Sequence, residues 1–340
     1  MSSVIFDKKN ILVAGGAGFI GSNLCDELVK DNKVICVDNF SSSQAKNIEH
    51  LLPNPNFIFI NHDLTTPLDL EELDELKKFK VPFQGIQEVY NLACPMSVKN
   101  FAENKEKTLL ASSYVIKNVL DLALKYQAKF LQFSSSVVYG FRNNEKTSDK
   151  IPETFLGTVD FLSDRACYDE GKRFAETMVS TYRQIFNLDT KIIRLFRTYG
   201  PRMALNDDQM LPDFVNNALS GEDIVIFGDE NFSSSLCYVD DVIDAAVKVM
   251  ASELSGPYNI GSEEDIKLND VAQMILEMTG STSKIVFAPN KLFMSELNVP
   301  DTYKIRNDLG WMPVVTLRNG LEKTILDLEA GRQQVGSYGM

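Results

Sequence analysis

Ile11-Leu12-Val13-Ala14-Gly15-Gly16-Ala17-Gly18-Phe19-Ile20-Gly21 is the stretch that decides the fold. Four apolar residues read as a buried strand, the glycines as a turn, and the pattern from Phe19 to Lys30 as a helix. Gly15 permits the tight turn, Gly18 lets the backbone come close to a pyrophosphate drawn to the helix N-terminus, and Gly21 allows the helix to lie against the strand. A glycine triplet alone is equally an ordinary turn. The strand before it and the helix after it make it a dinucleotide loop, with Phe19 and Ile20 beside the ligand in the first helical turn.

Outward from this loop, short apolar runs alternate with amphipathic stretches. Strands are expected at Val34–Val37, Phe57–Ile60, Glu88–Leu92, Phe130–Phe133 and Ile192–Leu195, with helices over Ala102–Tyr126 and Tyr168–Phe186. This is the rhythm of an α/β fold, a Rossmann-type parallel sheet with helices on both faces. After Gly200-Pro201 the pieces shorten, with helices near Pro212–Leu219, Val239–Met250 and Leu268–Met278 and a strand at Ile224–Phe227. Residues 1–200 are therefore read as the dinucleotide-binding Rossmann domain, 201–330 as a smaller C-terminal α/β substrate lobe into which the chain can cross over, and 331–340 as a flexible tail.

Asp38 closes the second strand, where an acid grips both ribose hydroxyls of NAD and repels the extra phosphate of NADP. NAD is the expected cofactor, with Asn39 beside the ribose. Asp63 and Leu64, after the third strand, are placed at the adenine, and Leu92 and Ala93, after the fourth, along the dinucleotide. A capping role for Asp38, or a solvated turn for Asp63, is the plainer alternative.

Composition narrows the function. With 34 Lys+Arg against 47 Asp+Glu, the net charge of −13 opposes phosphate backbones and anionic membranes, so nucleic acid and membrane partners are not expected. A phosphate-bearing small ligand must be held by local donors against that field. The five cysteines form no CxxC pair and there are only two histidines, His50 and His62, which argues against a disulfide framework, a metal site and a Ser-His-Asp triad. No apolar run reaches a membrane span and the first residues carry no signal-peptide core, so a reducing cytoplasmic location is expected.

Acid–base work then falls to another group. Tyr168 and Lys172, four apart at a helix start, share one face. The ammonium is expected to lower the phenol's pKa so that the tyrosinate takes a hydroxyl proton. Such a pair is common as a surface contact; Phe133-Ser134-Ser135-Ser136, ending a strand at the ligand-binding edge of the sheet, sets it apart.

With these motifs the chain resembles the extended short-chain dehydrogenase/reductases that act on nucleotide sugars, over nearly its whole length. It is nearest to their UDP-glucuronate decarboxylase branch, through Arg165-Ala-Cys-Tyr-Asp-Glu-Gly-Lys-Arg173, Gly200-Pro-Arg-Met203, Val37-Asp-Asn-Phe40 and Asn91-Leu-Ala-Cys-Pro95. The resemblance makes Ser135, Tyr168 and Lys172 the catalytic set and implies a homodimer through the two long helices, although stripes such as Leu109, Val115, Val119 and Leu122 read by default as core. It also exposes departures. The glutamate that precedes Val-Tyr-Gly in the decarboxylases and dehydratases is Val137 here, and the dehydratase aspartate before it is Ser136; both positions are expected at the substrate. The family arginine before Tyr-Val-x-Asp falls on Ser233-Ser-Ser235, another falls near Asn298, and the family asparagine in Arg-x-Phe-Asn is Arg197. Arg197, helped by Arg202, is either a relocated substrate cation or an ion-pair partner of one of the many acids.

The resemblance implies oxidation of a carbon-4 hydroxyl on a nucleotide-diphosphate sugar, ending as a 4-dehydrogenase or 4-epimerase. The alternatives are UDP-glucuronate decarboxylation, and a non-catalytic NAD-binding regulatory protein, against which the intact Ser135, Tyr168 and Lys172 argue.

Overall fold

A computed structural model describes residues 8–94, 102–140, 150–205, 209–289 and 299–337, with side chains to Arg332. In chain order its strands and helices are β1 Asn10–Ala14, α1 Phe19–Leu28, β2 Lys33–Asp38, β3 Phe57–Asn61, α2 Val81–Gln84, β4 Glu88–Asn91, α3 Lys105–Leu110, α4 Ile116–Tyr126, β5 Lys129–Ser135, α5 Ala166–Phe186, β6 Thr190–Leu195 and β7 Thr198–Tyr199. They continue as α6 Met210–Ser220, β8 Ile224–Phe227, β9 Ser233–Ser234, β10 Cys237–Tyr238, α7 Val239–Ala251, β11 Tyr258–Ile260, β12 Ile266–Lys267, α8 Leu268–Thr279, β13 Ile285–Ala288, α9 Tyr303–Leu309 and α10 Leu317–Ser337.

Seven strands form one sheet in the order β11-β6-β5-β4-β1-β2-β3, every neighbouring pair parallel. Its apolar residues divide by the two-residue period of a strand. Ile11, Val13, Val34, Cys36, Leu131 and Ile193 enter one core, whereas Leu12, Ala14, Ile35, Val37, Phe130 and Ile192 enter the other. The first face is covered by α1 and α7, the second by α4 and α5. Burial on both faces explains why these strands read as continuous apolar runs rather than alternating ones. Each buried Leu, Ile or Val contributes about 1.5–3 kcal/mol.

The chain runs from β1 outward through β2 and β3, then returns to the other side of β1 with β4 and continues outward. That reversal opens a crevice between the C-terminal ends of β1 and β4, where Ala14 lies opposite Asn91.

Beyond Gly200 the chain builds a parallel pair, β8 with β13, and a short pair, β12 with β9, and β10 pairs with β7, which lies just before Gly200. It also crosses back: β11 extends the main sheet beside β6, and α7 lies against α1. Trp311, fully buried, donates to the Asp241 carbonyl at 3.0 Å, and the Asp241 carboxylate accepts Val314 and Val315 amides at 3.0 and 3.1 Å, binding the C-terminal segment to α7.

The structure departs from the sequence reading in three places. The stretch expected as one helix over 102–126 is interrupted by a π-helical turn at Ala111–Val115; there Ser112 meets Gly171 of α5, whose absent side chain would lie 2.6 Å from the Ser112 hydroxyl. Of the stripe on those helices Val115, Val119 and Leu122 are core, but Leu109 is exposed. The segment from Gly331, expected as a loose tail, is helical as far as Ser337. Among the described residues no helix is long and apolar enough to cross a membrane.

Candidate active site

Gly15 adopts a φ of 76°, and a Cβ on it would lie 2.8 Å from the Ala93 backbone. A Cβ on Gly21 would lie 2.2 Å from the Gly15 carbonyl. Both therefore serve the close packing of loop, helix and β4. Gly18 differs: its φ is −72° and an added Cβ would meet only the Gly15 carbonyl at 3.4 Å. The protein itself does not require glycine there, so the open space in front of Gly18 fits a ligand against the backbone. No side chain caps α1, leaving the amides of its first turn for an anion.

Two adjoining cavities open at this crevice, of about 420 and 310 Å³. They share Gly15, Gly18, Ser42, Ser43, Leu92 and Cys94. The smaller is bounded by Asp38, Asn39, Asp63, Leu64 and Ala93. Asp38 has a structural duty too: its carboxylate accepts the Ala17 amide at 3.0 Å, the Phe40 amide at 2.9 Å and the Ser43 hydroxyl at 2.8 Å, so it fastens the glycine loop to the end of β2. Asp63 accepts the Thr65 amide at 2.9 Å, and the hydrogen bonds from Thr65 hold its pKa below the ordinary value.

The larger cavity brings together Ser135, Tyr168 and Lys172 with Phe19, Ile20 and Gly21. Ser135 ends β5, and its hydroxyl accepts the Val137 amide at 3.4 Å. Tyr168 and Lys172 occupy the first turns of α5, the ammonium 5.7 Å from the phenol ring centroid and donating to the Phe133 carbonyl at 3.2 Å. The expectation of a lowered phenol pKa is corrected: burial pushes Tyr168 up, and the Lys172 charge and a hydrogen bond with Ser135 offset only part of that. Burial also works against the Lys172 charge, but Cys94, Tyr168 and Glu176 outweigh it and hold the ammonium above its ordinary value. Lys172 therefore keeps its proton and favours the phenolate without creating it at neutral pH.

The charged residues on this wall are Lys46, Lys172, Arg197 and Arg202, with no Asp or Glu among the described residues. In a chain of net charge −13 that local reversal marks a site for anions. Arg202 is anchored by ion pairing to Asp26 and by its amide donating to the Asp327 carboxylate at 2.7 Å. Arg197 donates to the Ser234 hydroxyl at 3.0 Å and to Met210 sulfur at 3.9 Å. Ser136 and Val137, expected at the substrate, are buried in the short turn Ser136–Tyr139 and line neither cavity. Asn298 lies outside the described residues.

Sequence reasoning missed Cys94 and Lys46 as wall residues. Cys94 stands three residues past β4, a register visible only once β4 is placed; Lys46 carries no local signal. No cluster of potential metal ligands occurs among the described residues.

Residues 11–261 match the NAD dependent epimerase/dehydratase family. The chain is 37% identical over 320 residues to UDP-glucuronic acid decarboxylase 1 of Danio rerio, covering 94% of this chain and 72% of that protein. Among solved structures it is similar to the UDP-glucose 4-epimerase of Thermotoga maritima with UDP-glucose, at TM-score 0.82 and 26% identity, covering 95% and 99% of the two chains. It is also similar to the UDP-glucuronic acid 4-epimerase of Bacillus cereus in complex with UDP-glucuronic acid and NAD, at TM-score 0.80 and 26% identity, covering 94% and 99%.

Proposed function

The chain belongs to the NAD-dependent epimerase/dehydratase family, and from that premise we propose that it oxidises the carbon-4 hydroxyl of a nucleotide-diphosphate sugar, ending as a 4-epimerase or 4-dehydrogenase. It is an enzyme, and its cofactor is NAD. The observation that carries the reading is the meeting of Ser135, Tyr168 and Lys172 on a cavity wall whose other charges are all cationic.

The cradle suits the cofactor. Gly15, Gly18, Phe19, Ile20 and Gly21 would hold the pyrophosphate, Asp38 and Asn39 the adenosine ribose, and Asp63, Leu64, Leu92 and Ala93 the adenine side of the cleft. When bound, NAD would supply the hydride acceptor for that oxidation. In its ionised form Tyr168 takes the hydroxyl proton onto its phenolate oxygen; Ser135 orients that hydroxyl, and Lys172 stabilises the phenolate from which the transfer starts. Arg197 and Arg202 provide positive charge on the substrate side. Epimerisation returns the hydride to the opposite face of a turned keto-sugar, whereas dehydrogenation releases the ketone.

The relatives named as decarboxylases favour a second reading. A carbon-4 ketone makes the carboxylate on carbon 5 a β-keto acid, whose carbon dioxide departs without help from the missing glutamate. Incubation of the protein and NAD with UDP-glucose and, separately, UDP-glucuronate, followed by absorbance of reduced nicotinamide and by carbon dioxide capture, separates the two. Inverted or 4-keto sugar without gas is expected; stoichiometric gas from UDP-glucuronate would establish decarboxylation instead. Exposed Leu109, Tyr114 and Phe174 on the two long helical stretches support a homodimer, to be measured by sedimentation.

A further inference from the structure

Asp38 ends β2 with its carboxylate already engaged by three donors. Oδ1 accepts the Phe40 amide at 2.9 Å and the Ser43 hydroxyl at 2.8 Å, and Oδ2 accepts the Ala17 amide at 3.0 Å. A carboxylate oxygen offers two lone pairs, about four sites for the whole group. Among the described residues, therefore, Oδ1 is filled and Oδ2 keeps a single site. The adenosine ribose of NAD brings two hydroxyls, both assigned above to Asp38. Together with the three protein donors they are one more than the carboxylate can take, so a protein donor has to leave.

Which one leaves is decided by how each is held. Ala17 is fully buried in the glycine loop, and its carbonyl accepts the Asn47 side-chain amide at 2.9 Å. Releasing its N–H would strand a buried donor. Phe40 has a φ of 56°, and its ring packs on Phe59 with the centroids 4.9 Å apart. The bond from its amide back to Asp38 closes the Asx turn that holds this left-handed residue in place. Asp38 is itself buried, and its carbonyl accepts the His62 amide at 3.1 Å just past β3.

Ser43 is held by less. It is half-buried, it lines both cavities, and rotation about its χ1 bond turns the hydroxyl from Asp38 to water. Of the three donors, its departure alone costs neither a buried N–H nor a backbone turn. It also brings to Oδ1 the same chemistry as a ribose, a single hydroxyl donated to a carboxylate.

We propose that Ser43 is a stand-in for the cofactor's ribose: its hydroxyl occupies the site on Asp38 Oδ1 that one adenosine-ribose hydroxyl takes over, and so sets how tightly NAD is held. This rests on the assignment of Asp38 to the ribose and adds the side chain that competes with the ribose for it.

The test uses the full chain freed of nucleotide, as wild type and as Ser43→Ala. Calorimetry reads the Kd of NAD and of two NAD analogues, one without the 2′-hydroxyl and one without the 3′-hydroxyl of the adenosine ribose; the binding stoichiometry reports the folded fraction. The wild type must break a charge-assisted bond before the ribose closes on Asp38, and the variant need not. Ser43→Ala is expected to bind NAD about tenfold more tightly, and the gain should vanish for the analogue that lacks the hydroxyl destined for Oδ1. A Kd for NAD no tighter in Ser43→Ala than in the wild type would overturn the proposal. So would a gain of equal size for all three ligands, which would trace to the loop rather than to Asp38. The assignment beneath it is read in the wild type alone: NAD bound more tightly than at least one analogue supports Asp38 at the ribose, whereas three equal Kd values would remove that assignment and this inference with it.

Discussion

Arg194 grips Glu176 through two hydrogen bonds of 2.9 and 2.7 Å, joining β6 to α5 one helical turn after Lys172. Glu176 also accepts the Ser134 hydroxyl at 2.6 Å, and Arg194 continues to the Tyr139 hydroxyl at 2.9 Å and through it to Asn259 on β11. Both charges are 13% exposed, so the carboxylate left alone would be poorly hydrated. Arg194→Met is expected to lower unfolding free energy by about 3 kcal/mol, read by denaturant titration. Because the Glu176 charge also favours the Lys172 ammonium, Glu176→Gln should reduce turnover more than it raises KM.

Tyr168→Phe should leave NAD binding intact and lower kcat by roughly 10²–10⁴-fold, the usual share of a general base. Since burial holds the phenol above its ordinary value, the rate should climb with pH as the phenol ionises. Lys172→Met removes the charge that counters burial, so its rising limb should move to still higher pH. A pH–rate profile of kcat/KM for both proteins checks this, and a profile unmoved in Lys172→Met would assign the titration to another group.

How far this could be read in the sequence depended on where each signal resides. The glycine loop was legible because Gly15 and Gly21 are backbone demands, set by neighbours a few residues away or by β4, and no other residue meets them. The central strands were legible because both faces are buried, which writes a continuous apolar run. β11 was not: Tyr258–Ile260 is three residues long and becomes a strand through pairing with β6. Likewise β9 and β12 are two residues each, and Ser234 acquires meaning only when Arg197 reaches it. The direction of the Tyr168 shift was misread for a related reason. The nearby ammonium is a matter of spacing, but burial is set by the whole fold, and here burial dominates.

Gly18 and Gly21 should separate ligand binding from folding. Alanine at 21 would drive a methyl to 2.2 Å from the Gly15 carbonyl, so Gly21→Ala should fail to fold or melt well below the wild type. Alanine at 18 meets nothing closer than 3.4 Å, at a φ that any residue adopts. Gly18→Ala should keep the melting temperature of the cofactor-free protein and lose NAD affinity by tenfold or more, by about the order that one lost or displaced contact implies. Unimpaired NAD binding in Gly18→Ala would remove the pyrophosphate from that spot.

Glu263 provides a pH-dependent clasp between segments that the sequence separates by more than a hundred residues. It accepts Lys150 at 2.5 Å, the Thr302 amide and hydroxyl at 2.9 and 2.7 Å, and Arg306 at 3.1 Å. Burial alone would raise its pKa, but Lys150 and Thr302 outweigh that and hold it down to about 2, against an ordinary value of 4.5. A carboxyl depressed in the folded state contributes its full stability above the unfolded value and loses it as pH falls through the folded one. The contribution should therefore be present at pH 7, decline from about 4.5, and be gone near 2. Lys150 and Arg306 are themselves about half exposed, so solvent screening reduces the net worth to about 1 kcal/mol. Glu263→Gln should be less stable than the wild type at pH 7 by that amount, and the two denaturation midpoints should converge as the pH is lowered from 4.5 toward 2. Parallel curves with no convergence would mean that the clasp acts through its neutral hydrogen bonds rather than through its charge.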